Sequence, residues 1–170
     1  AAIGNKKSAG TKLVCFDSFF NNPGVYEIEM GTPMKKVLND IGGGFKEPIK
    51  ALQIGGPLGG VIPIVEAEKL NLDFQEFTAA GFMLGHASIV SIPKDFPMVE
   101  YIHHLFEFTA EESCGKCFPG RLGSYRGKEM FDQLKSKTAK IPLKVLNDLL
   151  LTMKNGCLCA LCGAIPTPIM

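Results

Sequence analysis

Five of the six cysteines in this 170-residue chain lie in two short segments of its C-terminal half. Cys114 and Cys117 form one C-x-x-C pair, Cys159 and Cys162 form a second, and Cys157 lies just before the second pair. Two intervening residues allow both sulfurs of a pair to face one point. Two such pairs supply four thiolates, a ligand set that suits either zinc or an iron–sulfur cluster. The spacing indicates metal binding and leaves the metal open.

Each cysteine also has a purely structural interpretation. Cys15 lies in a predicted strand, where a free thiol packs as a small hydrophobic side chain. Cys157 could pack, act as a spare ligand or face solvent. Burial of the four paired cysteines without metal is the alternative to a metal site. A catalytic dithiol would need a thioredoxin-like strand–helix context, which the sequence does not show.

The composition excludes several other classes of function. A formal charge of +1 gives no basic surface for nucleic acid or an anionic membrane, and 46% apolar residues favour a globular core. No apolar run approaches the roughly 20 residues that span a bilayer, and no signal peptide is visible. Cysteines confined to one half of the chain are typical of a reducing compartment, so we expect a cytoplasmic protein. Because the chain lacks an initial Met, we expect it to be an excised or processed piece.

Two regions must position these thiols. Residues 1–94 are rich in glycine and in short β-type runs, and the order strand, strand, helix, strand, strand matches a β-grasp domain. Residues 95–170 show helical periodicity. The first region is predicted to contain strands at 11–16, 25–29, 51–54 and 88–92, with a helix through Met34, Val37, Leu38 and Ile41 that has Thr32 as N-cap and Pro33 in first position and ends at Gly42.

The second region is predicted to be a four-helix bundle with cysteines at the helix ends, which makes the whole chain an α+β fold. A fourth helix is expected to begin near Cys159. The predicted inner positions of the other three helices are Met98, Ile102, Leu105 and Phe106, then Leu122, Tyr125, Met130, Phe131 and Leu134, then Leu143, Leu146, Leu149, Leu150 and Met153.

A glycine-rich loop, Gly55 to Gly60, follows the third predicted strand, where a phosphate-binding loop could lie. It matches neither G-x-G-x-x-G nor the P-loop, and Pro63 interrupts the helix that should follow. We therefore interpret these glycines as residues that permit tight turns.

The remaining polar candidates have weaker claims to the site. His103 and His104 lie about three helical turns before Cys114, roughly 15 Å along a helix, which favours a surface or supporting role over ligation. Lys116 and Arg121 flank the first cysteine pair. Positive charge there would stabilise an anionic cluster and favour its reduced state, and an ordinary solvated pair is the alternative.

The stretch from Glu112 to Gly123, ESCGKCFPGRLG, resembles the E-S-C-G-K-C-x-P-C-R-x-G signature of the flavin- and NADH-binding subunit of NADH:quinone oxidoreductase, respiratory complex I. Related subunits occur in NAD-linked hydrogenases and formate dehydrogenases. The run Cys159-Ala160-Leu161 is similar to the C-A-L-G segment of that family. Segments 10–13, 23–27, 30–33 and 42–44 resemble its SLBB domain, a β-grasp module.

This resemblance implies a [4Fe–4S] cluster that takes electrons from a flavin and passes them on within a multi-subunit NADH oxidoreductase. FMN and NADH would bind a domain preceding this chain, so we expect no turnover from the chain alone. The other subunits would be its partners, without nucleic acid or direct membrane insertion, at the cytoplasmic face of the inner membrane. The alternative is a structural zinc-binding or metal-free protein-interaction module.

One position departs from the family pattern. The third cysteine of the signature falls at Gly120, so only Cys114, Cys117 and Cys159 match the family's ligand positions. We hypothesise that Cys162 replaces the missing ligand, with Cys157 as the alternative. Without either, the site would hold a three-iron cluster, bind zinc or stand empty.

Overall fold

The computed structural model describes residues 3–170 and divides the chain into two units, Ala1–Asp95 and Phe96–Met170. The first unit contains a five-stranded sheet with short helices, and the second is helical. The mixed α and β class expected from the sequence is therefore confirmed. None of the helices in residues 3–170 has the length and apolar character that a membrane crossing requires.

The sheet of the first unit has the order β2-β1-β5-β3-β4. Strand β1 pairs antiparallel with β2 and parallel with β5, and β3 pairs antiparallel with both β4 and β5. In β1, Val14 and Phe16 are buried while Leu13 is exposed, the alternation expected of a strand with one face on the core. The strands are β1 (Thr11–Phe16), β2 (Gly24–Glu29), β3 (Ile49–Ile54), β4 (Gly60–Pro63) and β5 (Ser88–Pro93).

Three short helices complete this unit: α1 (Met34–Lys36), which continues as a π-helical turn over Val37–Ile41, α2 (Ile64–Ala67) and α3 (Phe74–Ala79). The predicted element order was incomplete, because β4, α2 and α3 lie where no element was expected. Strand β4 is short and contains both glycine and proline, which are depleted in strands.

The predicted cap of the first helix was wrong. Pro33 is the N-cap residue of α1, and Thr32 instead donates its hydroxyl to the Glu29 carbonyl at 2.7 Å. The predicted end was right, since Gly42 caps the π-helical turn. In the glycine loop, Gly55 and Gly56 have φ angles of 103° and 121°, which supports their interpretation as turn residues.

Helix α3 has a side-chain cap that the sequence analysis missed. Asp73, only 4% exposed, accepts hydrogen bonds from the backbone N–H groups of Gln75 and Glu76, at 2.7 and 3.0 Å. It also accepts one from the Asn5 amide at 2.6 Å. The Asn5 hydrogen bond is the largest reason why the pKa of Asp73 is lowered to about 2. A buried carboxylate therefore links the N-terminal segment to α3.

The second unit consists of α4 (Met98–Glu112), α5 (Phe118–Lys135), α6 (Leu143–Gly156), α7 (Ala160–Ala164) and α8 (Pro166–Ile169). Glycines let α5 approach its neighbours closely. A Cβ on Gly127 would overlap the Phe106 ring of α4, and one on Gly123 would lie 3.0 Å from the Met153 side chain of α6. The Phe106 and Phe131 rings stack with their centroids 5.8 Å apart.

Three predicted inner positions of this unit are wrong: Leu122, Tyr125 and Leu143 are 57%, 56% and 79% exposed. The packing face of α5 is marked by buried glycines instead, which a hydrophobicity pattern cannot show. The fourth predicted helix is two short helices, α7 and α8.

Candidate metal centre

The first cysteine pair lies in the connection between α4 and α5. Gly115, with φ 72°, turns the chain between Cys114 and Cys117. Cys117 is the N-cap residue of α5, and its carbonyl accepts the N–H group of Arg121 at 2.9 Å. Because Cys117 precedes the first helical turn, its sulfur lies close to backbone N–H groups that have no partner within the helix.

The other three cysteines lie around the connection between α6 and α7. Cys157 caps the C-terminus of α6, and its N–H group donates to the Met153 carbonyl at 3.1 Å. Cys159 is the N-cap residue of α7, and Cys162 lies within that helix and is 2% exposed. The predicted placement of the cysteines at helix ends is therefore confirmed, with Cys162 one turn into its helix.

Sulfurs from the two segments meet at Gly120. A Cβ placed on Gly120 would lie 3.0 Å from the Cys117 sulfur and 3.0 Å from the Cys162 sulfur. The two sulfurs are therefore no farther apart than twice that distance, and a side chain at position 120 would require one of them to move. The structure thus places the Cys162 thiol beside the backbone position where the family signature has a cysteine.

The Ser113 hydroxyl lies beside the Cys162 thiol. The Cys162 thiol donates toward the Ser113 hydroxyl oxygen at 3.8 Å, and the Gly115 N–H group also donates to that oxygen, at 3.3 Å. Ser113 was not among the predicted site residues. A hydroxyl directly before a C-x-x-C pair was the available signal, since it can both donate to and accept from sulfur.

The thiols have different acidities because their surroundings differ. Backbone N–H groups of Leu158 and Gly120 lower the pKa of Cys117 by hydrogen bonding to its sulfur. Burial raises the pKa of Cys157 to about 12. Burial also raises the pKa of Cys162, and the nearby sulfurs of Cys159, Cys117 and Cys114 add to that rise. A bound metal ion would supply the positive charge that keeps such crowded thiols deprotonated.

The cysteine sulfurs lie near one another but do not form a coordination site for a single metal ion within residues 3–170. Among residues 3–170, no three His, Cys, Asp or Glu side chains are arranged to hold a single metal ion. A zinc site would need its sulfurs at about 2.3 Å from one point. An iron–sulfur cluster spreads its thiolate ligands over several iron atoms. A donor set made of thiols alone, drawn from two segments, fits such a cluster.

The other predicted polar candidates lie apart from the sulfurs. His103 is buried and its Nε2 lies 2.7 Å from an Asp132 carboxylate oxygen, while His104 is exposed. Asp132 is about 20 Å along α5 from the helix start beside Cys117. His103 is therefore a buried, hydrogen-bonded side chain of the helical packing that lies away from the sulfurs. Cys15 belongs to the sheet of the first unit, opposite Val25 of β2.

Arg121 stacks its guanidinium group over the Phe118 ring, 5.1 Å from the ring centroid. Lys116 is exposed. A role for either charge in stabilising a cluster stays a prediction.

The sequence of the second unit is similar to a known family. Residues 100–170 match the family described as the NADH-ubiquinone oxidoreductase-F iron–sulfur binding region. The whole chain is 34% identical to the HndC protein of the NADP-reducing hydrogenase of Solidesulfovibrio fructosivorans and covers 35% of that protein. About 71% of the chain is 38% identical to the NADH-quinone oxidoreductase F protein of Escherichia coli (strain K12), and the match covers 27% of that protein. The chain thus spans about a third of the length of these relatives.

Solved structures show the same fold. A crystal structure of NAD⁺-reducing [NiFe]-hydrogenase in the H2-reduced state contains a chain that aligns with 99% of this one at a TM-score of 0.85. The identity is 24%, and the alignment covers 28% of that chain. The likeness extends over both units.

Proposed function

We propose that the chain relays electrons through a [4Fe–4S] cluster, because residues 100–170 match the iron–sulfur binding region of the NADH-ubiquinone oxidoreductase-F family. The observation that carries the proposal is the meeting of thiols from two distant segments at Gly120. When bound, such a cluster supplies one-electron transfer, while the chain contributes thiolates, hydrogen bonds and burial.

The proposed ligands are Cys114, Cys117, Cys159 and Cys162. The first three correspond to cysteines of the signature segments that the sequence resembles, and the Cys162 sulfur would lie 3.0 Å from a Cβ placed on Gly120. That sulfur also lies 3.8 Å from the hydroxyl of Ser113, the residue before Cys114, so it faces the segment that carries the first cysteine pair. The buried Cys162 is therefore the better fourth ligand.

The wider assignment follows from the relatives. We propose that the chain acts within a multi-subunit NADH oxidoreductase, with FMN and NADH bound by another part of the complete protein, on the cytoplasmic side of the membrane. We also propose that residues 1–94 form an SLBB domain of the β-grasp type and that residues 95–170 form an iron–sulfur helical bundle of four-helix type. The sheet order β2-β1-β5-β3-β4, with β1 and β5 parallel, supports the β-grasp assignment.

Anaerobic reconstitution with iron and sulfide tests the proposal. The expected product is brown, absorbs at about 400 nm and contains about four iron atoms per chain. Cys162→Ser should lower this to about three or fewer and change the spectrum, because one ligand is lost. Cys15→Ser is the matched control and should bind as much iron as the wild type.

A wild-type chain that stays colourless and takes up zinc in preference to iron would replace the proposal with a structural zinc module. Unchanged iron content and spectrum in Cys162→Ser would remove Cys162 from the ligand set and leave the relay function standing.

A further inference from the structure

One hydroxyl group within residues 3–170 forms a hydrogen bond with a cysteine sulfur, and it belongs to Ser113. Ser113 directly precedes Cys114 and is the C-cap residue of α4, where its extended backbone (φ −65°, ψ 126°) leads the chain out of the helix. Its Oγ lies 3.8 Å from the Sγ of Cys162, which is 49 residues further along the chain. Hydrogen bonds to the ligand sulfurs help to set the potential of an iron–sulfur centre. The contact therefore places Ser113 where it can act on the proposed centre.

Close packing fixes the position of the Cys162 side chain. Cys162 is 2% exposed. A Cβ on Gly120 of α5 would lie 3.0 Å from the Cys162 sulfur and 3.3 Å from its Cβ, so the α5 backbone lies directly against this side chain. A buried side chain packed in this way has little room to change its rotamer. The Cys162 sulfur is therefore kept beside the Ser113 oxygen.

The surroundings of Ser113 decide the direction of this hydrogen bond. The Gly115 N–H group donates to the Ser113 Oγ at 3.3 Å, so the oxygen acts as the acceptor in that contact. A serine hydroxyl also has one hydrogen to donate. A cysteine that binds iron does so as a thiolate, which has no hydrogen and can only accept. With the metal bound, the Ser113 O–H group therefore donates to the Cys162 sulfur, which reverses the direction found for the free thiol.

We propose that Ser113 is a positioning residue whose O–H group donates a hydrogen bond to the Cys162 sulfur and raises the reduction potential of the centre. The inference rests on the proposed function, since it takes Cys162 as a ligand. Reduction adds one electron, which the reduced flavin supplies in the proposed relay, and the hydroxyl keeps its proton. The added negative charge is shared by the ligand sulfurs, so a donor to one of them stabilises the reduced state more than the oxidised state.

Removal of the hydroxyl from the reconstituted chain tests this inference. Ser113→Ala should keep the iron content of the wild type, because serine is not one of the proposed ligands. Its midpoint potential should become more negative by about 59 mV, which corresponds to a tenfold change in a one-electron equilibrium constant. Electron paramagnetic resonance during a redox titration measures the potential, and iron analysis measures the content.

Two further variants serve as controls. Ser113→Thr keeps the hydroxyl, and the extended backbone at this position accepts a β-branched residue, so its potential should return toward that of the wild type. Ser124→Ala removes a buried hydroxyl of α5 that donates to the Gly120 carbonyl at 2.6 Å and not to a sulfur. It should leave both the iron content and the potential unchanged.

The outcomes separate this inference from the function on which it rests. A wild-type chain that takes up no iron overturns both. If the wild type binds iron and Cys162→Ser binds as much, Cys162 is not a ligand, and this inference fails while the relay function stands.

The remaining outcomes concern Ser113 alone. The inference is wrong if Ser113→Ala keeps the wild-type potential, if Ser113→Thr behaves like Ser113→Ala, or if Ser124→Ala shifts the potential equally. Loss of iron from Ser113→Ala would also overturn it, because Ser113 would then be needed for metal binding itself.

Discussion

The sheet unit and the helical unit bury their side chains in different ways. In the first unit, apolar residues from the strands and short helices form one continuous core, in which the Phe20 ring makes tilted contacts with Phe16 and with the partly buried Phe45. Both units also bury polar side chains, such as Asp73 and Ser91 in the first and His103 and Ser124 in the second, but only the second gathers Cys162 with other thiols among the described residues. The buried Asp73 and Ser91 side chains of the sheet unit are hydrogen-bonded, whereas the helical unit encloses thiols and the Tyr101 hydroxyl, which need partners.

Two features of the helical unit show this need. The buried hydroxyl of Tyr101 has no hydrogen-bond partner within residues 3–170, and its burial raises its pKa. Burial, and to a smaller extent the neighbouring sulfurs, raises the pKa of Cys157 and Cys162 at the ends of α6 and α7. Because metal binding to such thiols contributes directly to folding, we expect the helical unit to depend on iron more than the sheet unit does.

The largest expected effect comes from removing a central ring. Phe106→Ala should lower the free energy of unfolding by about 3–5 kcal/mol and also reduce the iron retained, because Phe106 packs on the α5 face that leads to Cys117. Leu52→Ala, an equally buried residue of β3, should cost about 2–5 kcal/mol without reducing iron per folded chain. Urea unfolding with iron analysis measures both. Equal iron loss in the two variants would contradict the difference between the units.

Removing the iron is the next test. Chelation should speed hydrogen exchange of the α5 and α7 amides by about tenfold or more, which corresponds to about 1.4 kcal/mol. The reason is that bound iron no longer stabilises the folded state of these helices. Amides of β1 and β3 should change much less. Hydrogen exchange followed by mass spectrometry resolves the two sets of amides. A uniform change across both would contradict the expectation that the helical unit depends more on iron than the sheet unit does.

A smaller effect concerns Asp73 in the sheet unit. Asp73→Ala removes the cap of α3 and should cost about 1–2 kcal/mol. The folded-state pKa of Asp73, about 2, lies below its ordinary value of 3.8. Its charged form is therefore favoured by folding, so the contribution is present above pH of about 4 and is lost as pH falls toward 2. Chemical denaturation at several pH values measures this.

Asp73→Asn is the matched control for that experiment. It keeps a capping side chain and removes the titrating carboxyl, so part of the stability should remain while this component of the pH dependence disappears. An unaltered acid profile would show that another group is responsible.

The smallest effect is expected at the surface of the helical unit. Lys128 lies 3.0 Å from a Glu107 carboxylate oxygen and lowers the pKa of Glu107. Both side chains are about a third exposed, so solvent screens the pair and Glu107→Gln should not measurably change thermal stability. A loss comparable to that of Asp73→Ala would show that surface charge, and not the enclosed thiols, distinguishes this unit.

The elements were predictable where the pattern is local and strong. Helices α4, α5 and α6 were predicted from a periodicity of 3.6 residues, and four of the five strands from short β-type runs bounded by turn residues. The prediction failed where the decisive residues carry no hydrophobic signal. Gly123 and Gly127 form the packing face of α5, and Leu122 and Tyr125 were therefore assigned to the interior although they are exposed.

The cysteine spacing was enough to predict the type of ligand, because two C-x-x-C pairs supply thiolates and keep the two sulfurs of each pair close together. It also showed that Gly120 lacks a cysteine and that Cys162 adds one. The position of the Cys162 sulfur beside Gly120 follows from the fold and could not be predicted from the spacing of the cysteines. Spacing along the chain limits neighbours within a segment, whereas proximity between segments depends on how α5, α6 and α7 pack.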